Sequence, residues 1–465
     1  MRQKFFCARF YVTHECNSFC KFCDTHSAVY RDIKPLPLES AKSLVKQLYD
    51  IGCRYLDITG GEPSLNPNLP EILKYAAGLG MGIKTEVTTN GISGMTETLK
   101  QCAELAVKFN ISLDTVNREI YRNMRGVDKL STVIKTVREA VIIRKNKGLL
   151  APRIMTVLTD ENACGLPEMV RFAQNKGTEI YINPVFHYVN GTSQTDTKCL
   201  DVIRSYVFEK NTVVMLHFLE FYGDYGQSPR PLCSACRQTL TIAADGRMIV
   251  PCYHARGRKF IRHNGNIKDI TDSEEFIYFH NNSGTFQQCS QCTVSPYFGI
   301  SFSYSLNKYF LLQSFSERLA RFKRSFMNVL PLRNVPENLH SQLNELIDIV
   351  RSLNGQRNDV LCPPEVYRKH RPSCDVSDCW ELERVPHRMF DAVFSDVYQE
   401  VERGKHYDYI DILENAPEFM LRWWKLHISV NMNVSVTCNF DDERKWLREY
   451  FRRLGDFRRT ILRRR

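Results

Sequence analysis

The chain has 465 residues, 43% of them hydrophobic and 25% charged, and 63 Lys and Arg against 52 Asp and Glu give a formal net charge of +11. That is ample apolar material for a core with a moderate basic excess, which sets aside disordered and fibrous proteins and suggests about two or three domains. No apolar run reaches the ~18 residues of a membrane-spanning helix. The opening Met1-Arg2-Gln3-Lys4-Phe5-Phe6-Cys7-Ala8-Arg9 turns to charge before a signal-type segment develops, so a secreted or spanning protein is not expected.

From 6 to 186, short β-rich runs alternate with longer helical patterns. Strands are predicted at 6–13, 54–58, 83–88, 107–113, 153–158 and 179–185, and helices at 38–51, 67–79, 95–104, 130–147 and 166–176. The alternation predicts an α/β fold with a parallel sheet and right-handed crossovers, as a doubly wound sheet or an incomplete (β/α) barrel. Several strands lack polar alternation and are expected to be buried on both faces. Either architecture gathers ligands at the carboxyl ends of its strands, so chemistry is expected in the loops that follow them. Beyond about 190 the rhythm stops. Gly223, Gly226, Pro229 and Pro231 lead into a hairpin, 239–243 and 247–250, across an Asp245-Gly246 turn. Residues 305–330 read as one helix ended by Pro331, and the remainder mixes helical patterns with a Pro/Cys-rich loop near 362–379. Three regions follow: 1–190, 191–300, and a mainly helical 301–465.

Seventeen cysteines, an odd number without an export signal, argue against a disulfide framework and for a reducing, cytoplasmic setting. Cys7, Cys53, Cys102, Cys164 and Cys199 lie singly in or beside apolar stretches and read as core. The loop after the first strand is different: Cys16-Asn17-Ser18-Phe19-Cys20-Lys21-Phe22-Cys23. Three thiolates this close can hold an iron–sulfur cube, whose fourth iron then lacks a protein ligand. An open metal position is where a catalytic centre takes its substrate. The plainer alternative is a structural zinc knuckle completed by His14 or His26. After the second strand comes Thr59-Gly60-Gly61-Glu62-Pro63, whose glycines free the backbone for close approach and whose polar groups suit an ammonium. The third strand ends in Thr88-Thr89-Asn90-Gly91 and the fourth in Ser112-Leu113-Asp114. Each alone is an ordinary turn or cap; together, at one end of a sheet, they outline a site.

On these residues, 6 to about 190 resemble the core of radical S-adenosylmethionine (SAM) enzymes. The resemblance implies a partial (β/α)6 TIM-like barrel, a [4Fe-4S] cluster on Cys16, Cys20 and Cys23, and Phe22 packed against adenine. It implies that Gly60, Gly61, Glu62 and Pro63 receive the methionine amino group. Ser112 and Asp114, with Asn90, would meet ribose and carboxylate; Arg125, in Met124-Arg125-Gly126, would reach the methionine carboxylate; and Ile182-Asn183-Pro184-Val185 would line the adenine. SAM would fill the open iron, and one electron would release a 5′-deoxyadenosyl radical that abstracts hydrogen from a substrate. The protein's part in such chemistry is position, electrostatics and exclusion of water. No side chain is assigned a catalytic role beyond the cluster, and an electron donor such as flavodoxin or ferredoxin is the implied partner.

A second group, Cys233-Ser234-Ala235-Cys236, Cys252 and Cys289-Ser290-Gln291-Cys292, surrounds the hairpin. Two C-x2-C pairs flanking a turn suit a tetrahedral sulfur site for zinc or iron–sulfur. The segment resembles the auxiliary-cluster extensions called SPASM and twitch domains, with Cys236, Asp245-Gly246, Pro251-Cys252, Gly265-Asn266 and Cys289/Cys292 in that order. Five residues rather than four separate Gly246 from Cys252, and no further cysteine run follows Cys292 for a second auxiliary cluster. One auxiliary cluster, of the [4Fe-4S] type, is therefore expected, with Cys233 or Cys236 as its fourth ligand. A third group, Cys362, Cys374 and Cys379 with His370 and His387, is irregularly spaced and reads as packing or surface residues, or a further metal site.

The positive charge concentrates in two amphipathic segments, 305–332 with five basic residues against one acid and 441–465 with ten against five. Basic helices with an aromatic face suit an anionic membrane surface, and equally an ordinary helix packed on a core. A nucleic-acid partner is disfavoured, since the basic residues accompany no binding fold. The substrate readings are a membrane-derived lipid or tetrapyrrole, and a ribosomally made peptide; outside catalysis, the chain would be a zinc or iron–sulfur binding interaction protein.

Overall fold

The computed structural model describes residues 5–297, apart from 82–84, 186–196, 224–232 and scattered single or paired positions, together with Leu312. The segments 305–332 and 441–465, and the Cys362, Cys374 and Cys379 group, lie outside the described residues.

Strands and helices follow one another as β1 (Cys7–Tyr11), α1 (Leu38–Asp50), β2 (Tyr55–Thr59), α2 (Leu69–Ala76), β3 (Thr85–Thr89), α3 (Met95–Gln101) and β4 (Lys108–Ser112). Next come α4 (Arg118–Arg125), α5 (Leu130–Asn146), β5 (Arg153–Leu158), α6 (Leu166–Lys176), β6 (Ile180–Pro184), α7 (Thr197–Ser205), β7 (Thr212–Val214) and α8 (Leu216–Gly223). The rest are β8 (Thr239–Ile242), β9 (Met248–Val250), β10 (Lys259–Ile261), α9 (Ile267–Thr271) and α10 (Glu274–Asn281). They build one sheet in the order β10-β9-β8-β1-β2-β3-β4-β5-β6-β7, with β10 and β7 at its two ends among the described residues. From β8 through β1 to β7 every pairing is parallel, and β9 and β10 continue it antiparallel. This is the open, parallel-dominated sheet of a partial barrel.

The rhythm does not stop at 190: α7 and β7 add another unit, with β7 parallel to β6 through Tyr181↔Val213. The hairpin is formed by β8 and β9, yet β8 lies parallel to β1 with Cys7↔Thr239 in register, so the sheet runs unbroken from the core into the extension. Burial on both faces, expected of several strands, is found in β1, β4, β6, β7 and β8 but not in every strand. β2, β3 and β5 alternate, burying Leu56, Ile58, Val87 and Ile154 beneath the helices while every second residue faces the other way. That second face carries cross-strand ion pairs, Arg9–Asp57 at 2.7 Å, Lys108–Glu86 at 3.2 Å and Arg153–Glu179 at 3.3 Å. An unclosed sheet leaves that face partly wet, so paired charge is tolerated there.

The helices cover the other face. On α1, Ala41, Leu44, Val45 and Leu48 fall at helical spacing and are buried against Leu56 and Ile58. Each of the Leu and Val side chains stabilises the fold by about 1.5–3 kcal/mol. Of the lone cysteines, Cys7, Cys53, Cys102 and Cys199 are buried as expected, whereas Cys164 is exposed in a single turn, Ala163–Gly165, that precedes α6.

Candidate functional site

The carboxyl ends of β1 to β4 bring the three predicted loops together through their backbones. Gly61 N–H donates to Thr13 O at 2.8 Å and Glu62 N–H to Glu15 O at 2.7 Å, so the Gly-Gly-Glu-Pro loop lies directly on the entry to the cysteine loop. A Cβ at Gly60 would overlap the Thr13 carbonyl oxygen, and one at Gly61 the Glu15 carbonyl. The glycines are thus required for backbone-on-backbone approach, a role the sequence expectation of a ligand-facing loop did not contain.

Glu62 is fully buried and ties the second loop to the third. Its Oε1 accepts from Ser64 N–H at 3.1 Å, Ser64 Oγ at 2.6 Å and Thr89 Oγ1 at 2.6 Å, and its Oε2 accepts from Asn90 N–H at 2.6 Å. Burial nevertheless pushes its carboxyl above the ordinary range against those four bonds. A cation beside Oε2, which holds one donor among the described residues, would relieve that. Pro63 opens the single turn that follows. The Asn90 side chain reaches the cysteine loop, donating to Asn17 Oδ1 at 2.7 Å and, at 3.8 Å, toward Cys16 Sγ.

On the opposite side α4 presses its C-terminus onto the same loop. This helix was absent from the predicted elements, although Asn117 caps it through Glu119 N–H and Ile120 N–H and Gly126 ends it in the left-handed conformation, φ 67°. Phe19 N–H donates to Arg125 O at 2.8 Å and Lys21 N–H to Met124 O at 3.0 Å. A Cβ at Gly126 would come within 2.6 Å of Phe19 O, so that glycine is needed for its φ and for its neighbour. Asp114 and Arg125 are partners of one another: Arg125 Nε donates to Asp114 Oδ2 at 2.6 Å, and Asp114 Oδ1 accepts from Val157 N–H at 2.9 Å. Burial works against the Arg125 charge, but Asp114 and then Cys20 outweigh it and hold the guanidinium protonated. The guanidinium carbon lies 5.5 Å from the Phe22 ring centroid, and Nη1 is 3.6 Å from Cys20 Sγ. Ser112 and Pro184 end β4 and β6 at this edge of the sheet. Asn162, which the sequence did not single out, braces the site by donating to Asp114 O and Val157 O.

Cys16, Cys20 and Cys23 are half-buried. Burial first, and then the proximity of Cys20 and Cys16, push the Cys23 thiol up to about 12, and burial pushes Cys16 up to about 11. Such crowding of like groups is what a metal-bound cationic centre reverses, since a coordinating thiol gives up its proton. Among the described residues no group of three or more His, Cys, Asp and Glu is arranged to hold a single metal ion. Both candidate histidines are engaged elsewhere. His14 stacks on Tyr30 at 4.5 Å with Ala244 N–H donating to its Nε2, and His26 stacks on Phe19 with Nε2 2.7 Å from Ser18 O.

In the second group Cys233, Cys252 and Cys292 pack on Ala235, Val294 and Tyr297. Burial raises Cys252 to about 12 and Cys289 to about 11, and each also feels Cys233. Cys292, raised first by burial, feels Cys252, Cys233 and Cys289. Cys236 differs in its bonding: its backbone is left-handed at φ 58°, and its thiol donates to Pro251 O at 3.2 Å. The two cysteine groups are physically linked. Tyr253, next to Cys252, stacks on Tyr11 at 4.2 Å and Tyr30 at 5.1 Å, and Arg258 pairs at 2.9 Å with Asp24, next to Cys23.

At the carboxyl edge of an open parallel sheet, the three-cysteine loop is thus clamped by a glycine-rich loop, a buried carboxylate and an Arg–Asp pair. The family model described as the radical SAM superfamily matches residues 10–173. The chain is 33% identical over 253 residues to a probable GTP 3′,8-cyclase of Methanopyrus kandleri, covering 51% of this chain and 78% of that one. It is 33% identical over 184 residues to a probable GTP 3′,8-cyclase of Sulfolobus acidocaldarius, spanning 56% of that relative. It is 28% identical over 177 residues to the mycofactocin maturase MftC of Mycolicibacterium smegmatis, spanning 43% of it. In fold it is similar to Streptococcus suis SuiB, with a TM-score of 0.50 and 17% identity over 63% of this chain and 71% of that one. The chain belongs to the radical SAM superfamily, whose members bind SAM and a [4Fe-4S] cluster.

Proposed function

We propose that this protein cleaves SAM at a [4Fe-4S] cluster on Cys16, Cys20 and Cys23 and uses the resulting 5′-deoxyadenosyl radical to abstract hydrogen from a substrate. When bound, the cluster supplies one electron to SAM. The observation that carries the proposal is the convergence on the cysteine loop of two polar clamps, Glu62 with Asn90 and Asp114 with Arg125. In this reading Glu62 Oε2, with Gly60, Gly61 and Pro63 holding its loop, receives the methionine ammonium, while Phe22, Ser112 and Pro184 border the adenosine. Asp114 keeps Arg125 charged at the rim toward the methionine carboxylate, and the α4 contact excludes water from behind Cys20.

The second group is proposed to hold one auxiliary cluster on Cys233, Cys252, Cys289 and Cys292. The packing of Cys233, Cys252 and Cys292 on one small apolar cluster supports that choice, as does the Cys236 thiol's bond to Pro251. Regions 1–190, 191–300 and 301–465 are proposed as core, auxiliary-cluster extension and substrate-contacting part. The relatives' names divide between GTP 3′,8-cyclases and a mycofactocin maturase. A maturation reaction on a peptide is the second reading, and a lipid or tetrapyrrole drawn from a membrane that 305–332 and 441–465 would contact is the reading from the basic segments. A reductant such as flavodoxin or ferredoxin completes the system.

Iron and sulfide analysis after anaerobic reconstitution tests the proposal: two [4Fe-4S] clusters per chain are expected, falling by half in C16A/C20A/C23A. Full iron in that triple variant would refute the assignment.

A further inference from the structure

The charge a cysteine sulfur feels is set by its nearest donors, and the three thiols of the first loop are not equally treated. Cys16 Sγ faces the neutral Asn90 amide at 3.8 Å, whereas Cys20 Sγ faces the Arg125 guanidinium at 3.6 Å. Ser18 Oγ is also 3.3 Å from Cys20 Sγ, but its single proton has Arg125 O as an alternative acceptor at 3.0 Å. The cationic donor is therefore the one fixed on Cys20. Its position is rigid, because the backbone on both sides of Cys20 hangs from α4 through Phe19 N–H to Arg125 O and Lys21 N–H to Met124 O. Arg125 is 6% exposed and Asp114 1%, so water screens neither charge. Within that pair Nε and Nη2 face the Asp114 carboxylate at 2.6 Å while Nη1 faces the sulfur, which puts the positive group between the thiol and the counter-charge.

We propose that Arg125 is a positioning residue that donates an N–H···S bond to the cluster ligand Cys20 and raises the cluster's reduction potential, with Asp114 setting how much of that charge the cluster feels. The inference rests on the assignment of a [4Fe-4S] cluster to Cys16, Cys20 and Cys23. A positive charge against a ligand sulfur stabilises the state with the added electron, because hydrogen bonds to the sulfurs and net charge both set cluster potentials. Removing the charge makes reduction harder. Removing the counter-charge makes it easier.

The test is a redox titration of the anaerobically reconstituted full chain followed by electron paramagnetic resonance without SAM, using the signal that is lost in C16A. At a fixed potential R125Q is expected to lower the reduced-to-oxidised ratio about tenfold, which is 59 mV for one electron. D114N is expected to raise that ratio, and R125K to fall between R125Q and the native chain. Shifts of the same sign in R125Q and D114N, or no shift in either with the signal retained, overturn the inference. Should R125Q fail to hold a cluster, R125K and D114N carry the same test, since shifts of one sign again overturn it. Absence of any C16A-sensitive signal in the native chain refutes the cluster assignment instead.

Discussion

Replacing Gly61 with Ala tests whether the two loops are locked backbone to backbone. The new Cβ would overlap the Glu15 carbonyl oxygen and lie 2.7 Å from the His14 carbonyl oxygen, and no rotamer relieves a clash with main chain. Separating the loops breaks Gly61 N–H to Thr13 O and Glu62 N–H to Glu15 O. Two backbone hydrogen bonds at about 1 kcal/mol each, with local strain of about 1–3 kcal/mol, give a loss of about 3–5 kcal/mol. Urea unfolding of iron-free protein measures it, as a lower midpoint at unchanged slope. Because the displaced backbone leads directly into Cys16, iron retention at the first loop should fall as well. Gly78, whose added Cβ meets nothing within 4 Å, is the control, and G78A should stay near the native midpoint. If G61A keeps native stability to within about 0.5 kcal/mol and binds iron in full, the interlocked-loop account is wrong.

Three further outcomes are expected. R144L should cost about 3 kcal/mol by urea unfolding, because Arg144 donates to the Leu105, Val107 and Leu150 carbonyls, which Leu would leave unsatisfied; a change under about 0.5 kcal/mol would show that water replaces it. R258Q leaves Asp24 uncompensated beside Cys23 and should weaken iron binding at the first loop as well as the second; loss confined to the second would show that the link transmits nothing. Burial pushes His217 down to about 3, so it is neutral in the fold while the unfolded chain takes a proton near 6.5. Its contribution is then complete above pH 6.5 and is lost as pH falls toward 3. H217F should flatten the acid side of stability against pH by about 1.4 kcal/mol per unit, and identical slopes in both proteins would contradict the buried neutral ring.

The parallel sheet was legible because strand and helix periodicities differ and each loop after a strand carried its own turn chemistry: β5 and α6 occupy the predicted spans, and the ends of β2 and β4 moved by one residue. What was not legible depended on partners far apart in sequence. β7 is three residues long and acquires its identity from pairing with β6. The hairpin's membership of the core sheet rests on β8 meeting β1, more than two hundred residues away. α4 carried a readable Asn117 cap and Gly126 stop, but most of its residues are polar and its buried face, Tyr121, Met124 and Arg125, is short. The three-cysteine loop was evident from spacing alone. That Arg125 and Asp114 pair, and that the guanidinium faces Cys20, follows only once α4 is docked.

The central claim is that the first cysteine loop supports reductive cleavage of SAM. Anaerobically reconstituted protein mixed with SAM and a strong reductant should form 5′-deoxyadenosine, quantified by chromatography, and C16A, C20A and C23A should each abolish it. Nucleoside formation undiminished in those variants, or none from native protein with its iron in place, would contradict the account.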